Sequence, residues 1–209
     1  MVVGALLALD AVLTVVWQEP ITAIVGTIEQ HELAGDLNRL VREGPTPRER
    51  AAAAALPNVQ DRLAAYARAL DRRVPYGGAV GRIAIARMHI NMVLVKGSDT
   101  AALRKGPGFY DGSPLPGMPG TIAIAGHRTT YLAPFRHIDR LRGGDAIVLR
   151  MPYGTFTYRV DEHRIVSPNA TWITRDVGYD RVVLSACNPL FSAAQRIVVS
   201  ARLVSAVPT

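Results

Sequence analysis

The chain is 209 residues long, with a formal net charge of +7 and a pI near 10.1. That length builds one domain with a sizeable core plus extra segments, and the positive charge suits anionic surroundings such as phospholipid or cell-wall polymers. The Lys and Arg residues are scattered among Val, Ile and Gly rather than blocked, which argues against a nucleic-acid surface, and the single cysteine excludes an intramolecular disulfide or a multi-cysteine metal site.

Residues 1–17 are apolar apart from Asp10 and Thr14 and end on Trp17, a residue suited to a membrane interface. A bilayer span needs about 20 residues, so this run is at the short limit, and Asp10 costs it roughly 2.5–3.5 kcal/mol. The stretch predicts a single membrane anchor, with a buried core helix or a cleaved signal peptide as the other readings. The first basic residues, Arg39 and Arg42, follow it and none precedes it. That asymmetry alone would orient the C-terminal part inward, and basic residues upstream of a truncated start would reverse it.

Gln18-Glu19-Pro20 breaks the apolar run, and Ile21 to Leu40 then reads as an amphipathic helix. Gly44-Pro45-Thr46-Pro47 is a linker whose Thr46 or Pro47 can start the next helix. Ala51 to Ala55 is strongly helix-forming, Leu56-Pro57 interrupts, and Asp61 to Arg72 resumes with Leu63, Tyr66 and Leu70 on one face. Residues 18–76 are expected as a helical stalk and lead-in, with a packed helical subdomain as the alternative.

From Val80 the texture becomes strand-like. Strands are expected over 80–85, 90–95, 121–125, 145–151, 155–160 (extended by 164–166), 181–186 and 196–204. A short helix over 99–105 is capped by Ser98 or Asp99, a long Pro/Gly turn region fills 106–120, a helical turn covers 133–141, and 167–179 is a loop. Many short strands with no strand–helix alternation point to a mainly β domain, a closed antiparallel-rich barrel or a sandwich.

Three strand ends carry chemistry. Val182-Val183-Leu184-Ser185-Ala186-Cys187 ends a buried strand before Asn188-Pro189, and Arg196 opens the next strand. Thr121-Ile122-Ala123-Ile124-Ala125-Gly126-His127 ends another. A thiol is a nucleophile only as its thiolate, in an electropositive and partly exposed setting, and a lone cysteine is more often an inert small hydrophobe. His127 is the foremost acid–base candidate of the five histidines, with His137 second; its plain alternative is a solvated loop histidine. Arg196 in isolation reads as a strand-edge charge.

These residues together resemble the sortase family of cell-surface transpeptidases over about residues 77–205. The Cys187-to-Arg196 interval and Gly106-Pro107-Gly108-Phe109-Tyr110 look most like class E sortases. The resemblance implies an eight-stranded β-barrel spanning 77–209, preceded by an anchor (1–17) and helical stalk (18–76). It implies Cys187, His127 and Arg196 as catalytic residues, with Tyr110, Thr129 and Ser185 as substrate-binding candidates. The implied reaction is cleavage of a C-terminal LAXTG- or LPXTG-like sorting signal between Thr and Gly, with transfer of the acyl group to a cell-wall amine. Implied partners are secreted proteins bearing that signal, a peptidoglycan-precursor amine and the membrane, with no cofactor and no metal. Pilin polymerisation and a non-catalytic surface domain with a structural cysteine are the alternatives. Sortases commonly carry Thr directly before the cysteine; here it is Ala186, so that hydroxyl contact is either lost or supplied by Thr129 or Thr130. Ser185 shares a strand face with Cys187, not with Ala186.

Overall fold

The computed structural model describes residues 20–209, and the expected anchor over 1–17 lies outside them. No helix among the described residues is long and apolar enough to cross a membrane. Three helices lead in: α1 (Pro20–Glu43), α2 (Pro47–Ala54) and α3 (Val59–Arg73). The starts of α2 and α3 are set by local chemistry. Glu49 N–H donates to Thr46 Oγ1 (3.2 Å) while Thr46 N–H donates to Glu49 Oε2 (2.7 Å), a reciprocal capping box. Asp61 N–H donates to Asn58 Oδ1 (2.8 Å) at the head of α3.

Eight strands follow and close into a barrel: β1 (Ala79–Ile85), β2 (Ile90–Lys96), β3 (Gly108–Phe109), β4 (Thr121–Ala125), β5 (Ala146–Met151), β6 (Gly154–Val166), β7 (Arg181–Asn188) and β8 (Gln195–Pro208). A short helix, α4 (Thr100–Lys105), lies between β2 and β3 and is capped by Asp99, whose Oδ1 accepts from Ala102 N–H (2.7 Å). The order around the barrel is β1-β2-β3-β4-β7-β8-β6-β5, with β5 returning to β1. Most pairs are antiparallel; β2–β3 and β4–β7 are parallel.

Two sequence expectations shift. The region 106–120 contains β3, a two-residue strand that closes the gap between β2 and β4. Glycine makes it possible, since a Cβ on Gly108 would sit 2.1 Å from the Gly97 carbonyl oxygen. Over 133–141, only a 3-10 turn at Ile138–Arg140 forms. Pro134 disfavours helical backbone at Ala133, which instead takes a positive φ of 41°.

The barrel interior is filled by alternate residues of each strand, including Ile83, Ile124, Leu149, Phe156, Leu184 and Val199. β7 is also covered on its outer face, where Val183 packs with Val198 and Ile173. Burial on both faces explains its continuous apolar run. Arg181 fastens this cover: its Nε donates to Thr121 Oγ1 (3.0 Å) and its Nη2 to the carbonyls of Ile173 (3.2 Å) and Arg175 (3.3 Å).

The lead-in helices lie against the barrel. Leu63, Ala67 and Leu70 of α3 belong to the main core, and Leu33 and Leu37 of α1 pack on Val93 and Val95 of β2. Gln30 acts as a surrogate strand residue: its Oε1 accepts from Val93 N–H (2.8 Å) and its Nε2 donates to Val93 O (3.1 Å) and Lys105 O (2.8 Å). Because Leu63 is buried within the barrel core, Leu63→Ala is expected to destabilise the chain by about 2–5 kcal/mol in urea unfolding. A loss below about 0.5 kcal/mol, the range of an exposed substitution, would mean that α3 stands off the barrel.

Candidate active site

The parallel β4–β7 ladder runs in register from Thr121–Arg181 to Ala125–Ser185. His127 and Cys187 each lie two residues beyond the last pair, so both leave the same end of the sheet. On the other side of β7, Cys187 is directly cross-strand from Arg196 of β8. Alternation places Val182, Leu184 and Ala186 in the interior core and turns Val183, Ser185 and Cys187 outward. Arg196 is outward by the same rule, since its neighbour Ile197 faces in. The thiol and guanidinium therefore share the outer face of adjacent strands, and the Cys187 thiol is free and half-buried.

Gly126 is required by packing rather than by a special backbone angle. A Cβ there would lie 2.6 Å from the Phe135 ring, which seats the turn after β4. Phe135 N–H donates to His127 O (2.9 Å), fixing the histidine backbone. The His127 ring lies 5.3 Å from that of Tyr131, and its Nε2 is buried with no hydrogen-bond partner among the described residues. Burial, and secondarily the like charge of Arg104, hold its pKa below the ordinary 6.5. The imidazole is thus neutral at neutral pH and available to accept a thiol proton.

The turn itself is strained. Tyr131, Leu132 and Ala133 take φ values of 49°, 63° and 41°, each unfavourable for a side chain bearing Cβ. α1 supports this turn. Tyr131 N–H donates to Thr22 Oγ1 (3.2 Å), and Gly26 lets Leu132 approach, since a Cβ there would lie 3.0 Å from Leu132 Cγ.

Arg196 is half-buried, and its Nη1 donates to the carbonyls of Ala193 (3.1 Å) and Gln195 (3.0 Å). A guanidinium has five donors, so this engagement leaves capacity for a substrate oxygen. Of the substrate-binding candidates, Thr129 is half-buried in the His127 turn. Ser185 shares the Cys187 face but is only 2% exposed, with its Oγ buried and unpartnered among the described residues. Tyr110 lies beside β4, its N–H donating to Ala123 O (2.9 Å). Its side chain lines a cavity of about 500 Å³ with Tyr76, Lys96, Asp111, Leu115 and Met118, whose walls include neither Cys187 nor His127. His137, the second histidine candidate, caps the 3-10 turn, and burial together with Arg140 lowers its pKa.

Arg128 also belongs to the site, although the sequence gives it no sign beyond its place in the polar stretch Arg128-Thr129-Thr130 after His127. It is 6% exposed and reaches Cys187 O, Asn188 Oδ1 and Asp139 Oδ1. No group of His, Cys, Asp and Glu that could hold a metal occurs among the described residues.

A sortase-domain family model matches residues 83–204, more than half of the chain, and this span holds β4, β7 and β8 as far as Val204. The chain belongs to the sortase family. It is 34% identical over 114 residues to Sortase D of Bacillus subtilis (strain 168), covering 54% of this chain and 56% of that protein. It is 31% identical over 98 residues to Sortase SrtE1 of Streptomyces coelicolor, covering 43% of this chain and 28% of that one. The crystal structure of Sortase E1 from Streptomyces coelicolor with tripeptide in the active site aligns at a TM-score of 0.60 and 26% identity, over 63% of this chain and 91% of that one. The chain spans about half the length, or less, of these curated relatives. The eight-stranded closed barrel is the sortase fold, and the relatives include class E together with a class D protein.

The lowered pKa of His127 has a testable consequence. Removing the Arg104 charge by Arg104→Gln is expected to raise the NMR titration midpoint of His127, which stays below 6.5 because burial remains. An unmoved midpoint would show that Arg104 does not act on the ring. In the wild-type chain the unfolded state binds the proton more readily, so His127's contribution to stability is present above about pH 6.5 and is lost as pH falls below it.

Proposed function

We propose that this sortase is a cysteine transpeptidase with Cys187 as nucleophile, His127 as proton carrier and Arg196 as oxyanion donor. The observation that carries the reading is the convergence of these residues at one end of three neighbouring strands, β4, β7 and β8. His127 takes the Cys187 proton, and the thiolate attacks the Thr carbonyl carbon of a C-terminal sorting signal. The Thr–Gly C–N bond breaks, His127 returns the proton to the leaving glycine amine, and a thioester remains on Cys187. An acceptor amine then attacks the thioester and His127 removes its proton; the C–S bond breaks as the new amide forms, and His127 returns the proton to the Cys187 sulfur. Arg196 donates to the carbonyl oxygen as charge develops on it; such donors contribute about 10²–10³-fold in rate.

For this chain the proposed substrates are secreted proteins with an LAXTG- or LPXTG-like signal, and the proposed acceptor is a cell-wall amine. A peptide-sized ligand is supported by the tripeptide held in the active site of the Streptomyces coelicolor relative. The apolar run at 1–17 supports a single-pass anchor, and membership of a cell-surface family supports placing the barrel outside the cell. Ala186 faces the interior core, so a hydroxyl at that position would point away from the thiol's face. The departure from the family's Thr thus leaves the outer face unchanged.

Incubation with LAXTG and LPXTG peptides and a primary amine is expected to give a Thr–amine product by mass spectrometry, and none with Cys187→Ala. No product with either peptide would overturn the reading. Tyr110→Phe is expected to change the ratio of the two peptides' rates; an unchanged ratio would remove Tyr110 from substrate selection.

A further inference from the structure

The backbone ladder that aligns β4 with β7 ends at Gly126 N–H, which donates to Ser185 O (3.1 Å). Beyond it the two chains carrying His127 and Cys187 part, and His127 O turns to Phe135 N–H. The tie across the gap is the Arg128 side chain. Its Nη1 donates to Cys187 O (3.3 Å) and Asn188 Oδ1 (3.0 Å), and its Nη2 to Asp139 Oδ1 (2.8 Å). One planar group thus joins the His127 turn, the end of β7 and the 3-10 turn at Ile138–Arg140.

This arrangement is poorly suited to stability alone. Arg128 is nearly buried while its carboxylate partner is half exposed, and its Nε is buried without a partner among the described residues. A buried ion pair so incompletely satisfied contributes little net stability. Its geometric effect is large, because a guanidinium fork fixes both direction and distance at each acceptor. We propose that Arg128 is a positioning residue for acyl transfer, setting the separation and orientation of His127 and Cys187. The inference rests on the reading of Cys187 as the nucleophile.

The test uses the acyl-enzyme formed on the full chain by an LAXTG or LPXTG peptide, followed by mass spectrometry, with iodoacetamide alkylation of Cys187 in parallel. In Arg128→Gln, acylation at saturating peptide is expected to fall at least about 10-fold, since small misplacements of reacting groups have large rate effects. Half-saturating peptide should stay within about threefold, because ground-state binding does not need the His127–Cys187 geometry. Alkylation should fall less than acylation, because it needs the thiolate but not the protonation of a leaving amine by His127. Arg128→Lys should recover part of the rate, keeping the charge but not the fork. Acylation at the wild-type rate in Arg128→Gln would overturn the proposal, as would equal losses of acylation and alkylation. Should Arg128→Gln fail to fold, Asp139→Ala removes one leg of the fork at an exposed position. There a severalfold fall in acylation with a smaller loss of alkylation is expected, and unchanged acylation would overturn the proposal. A wild-type chain that forms no acyl-enzyme would instead overturn the transpeptidase reading itself.

Discussion

The parallel ladder between β4 and β7 is the constraint on which the rest of the site depends. In an antiparallel pair the two strands would end at opposite rims, and a histidine ending one could not meet a cysteine ending the other. Parallel pairing sends both chains out of the same end, and the Ala125–Ser185 register places His127 and Cys187 at matched positions beyond it. The antiparallel β7–β8 pair then sets Arg196 opposite the cysteine. Parallel neighbours need a long crossover. Here that crossover contains β5 and β6, so closing the barrel and aligning the site are one event.

Around this ladder the chain adds supports from distant segments. Arg181 holds the cover over the outer face of β7, and α1 braces the strained turn after His127 through Thr22 and Gly26. Three successive left-handed residues in that turn each cost about 1–2 kcal/mol, which the surrounding packing must offset. The same packing buries His127 and lowers its pKa, so rigidity and proton affinity have a common source. The lead-in helices are therefore coupled to the site, since α1 touches the histidine turn and α3 fills the core beneath the barrel.

Much of this was legible in the chain. Seven strands follow from apolar runs bounded by turn residues, and the helices from capping residues and the Ala-rich stretch. The eighth strand was invisible residue by residue, because Gly108-Phe109 forms a strand only through its neighbours. Cys187, His127 and Arg196 each terminate or open an apolar run, but singly they read as a core thiol, a loop histidine and a strand-edge charge; the family resemblance of the three together singled them out. Arg128 was not singled out, because an arginine after a strand reads as solvated until its three acceptors are assembled from positions 139, 187 and 188. The seat of α1 on the histidine turn had no local signal either, as Thr22 and Gly26 lie about a hundred residues from Tyr131. Ser185 was read on the correct face, but its near-complete burial has no signal in the local sequence.

The account stands most directly on where the substrate's acyl group goes. Reacting the chain with a sorting-signal peptide in the absence of amine, then digesting and sequencing the adduct by mass spectrometry, locates that bond. A thioester on Cys187 is expected, forming at least about 10²-fold more slowly in His127→Ala, the size of a general acid–base contribution. An adduct at another residue, or one that forms on Cys187 at the same rate without His127, would contradict it.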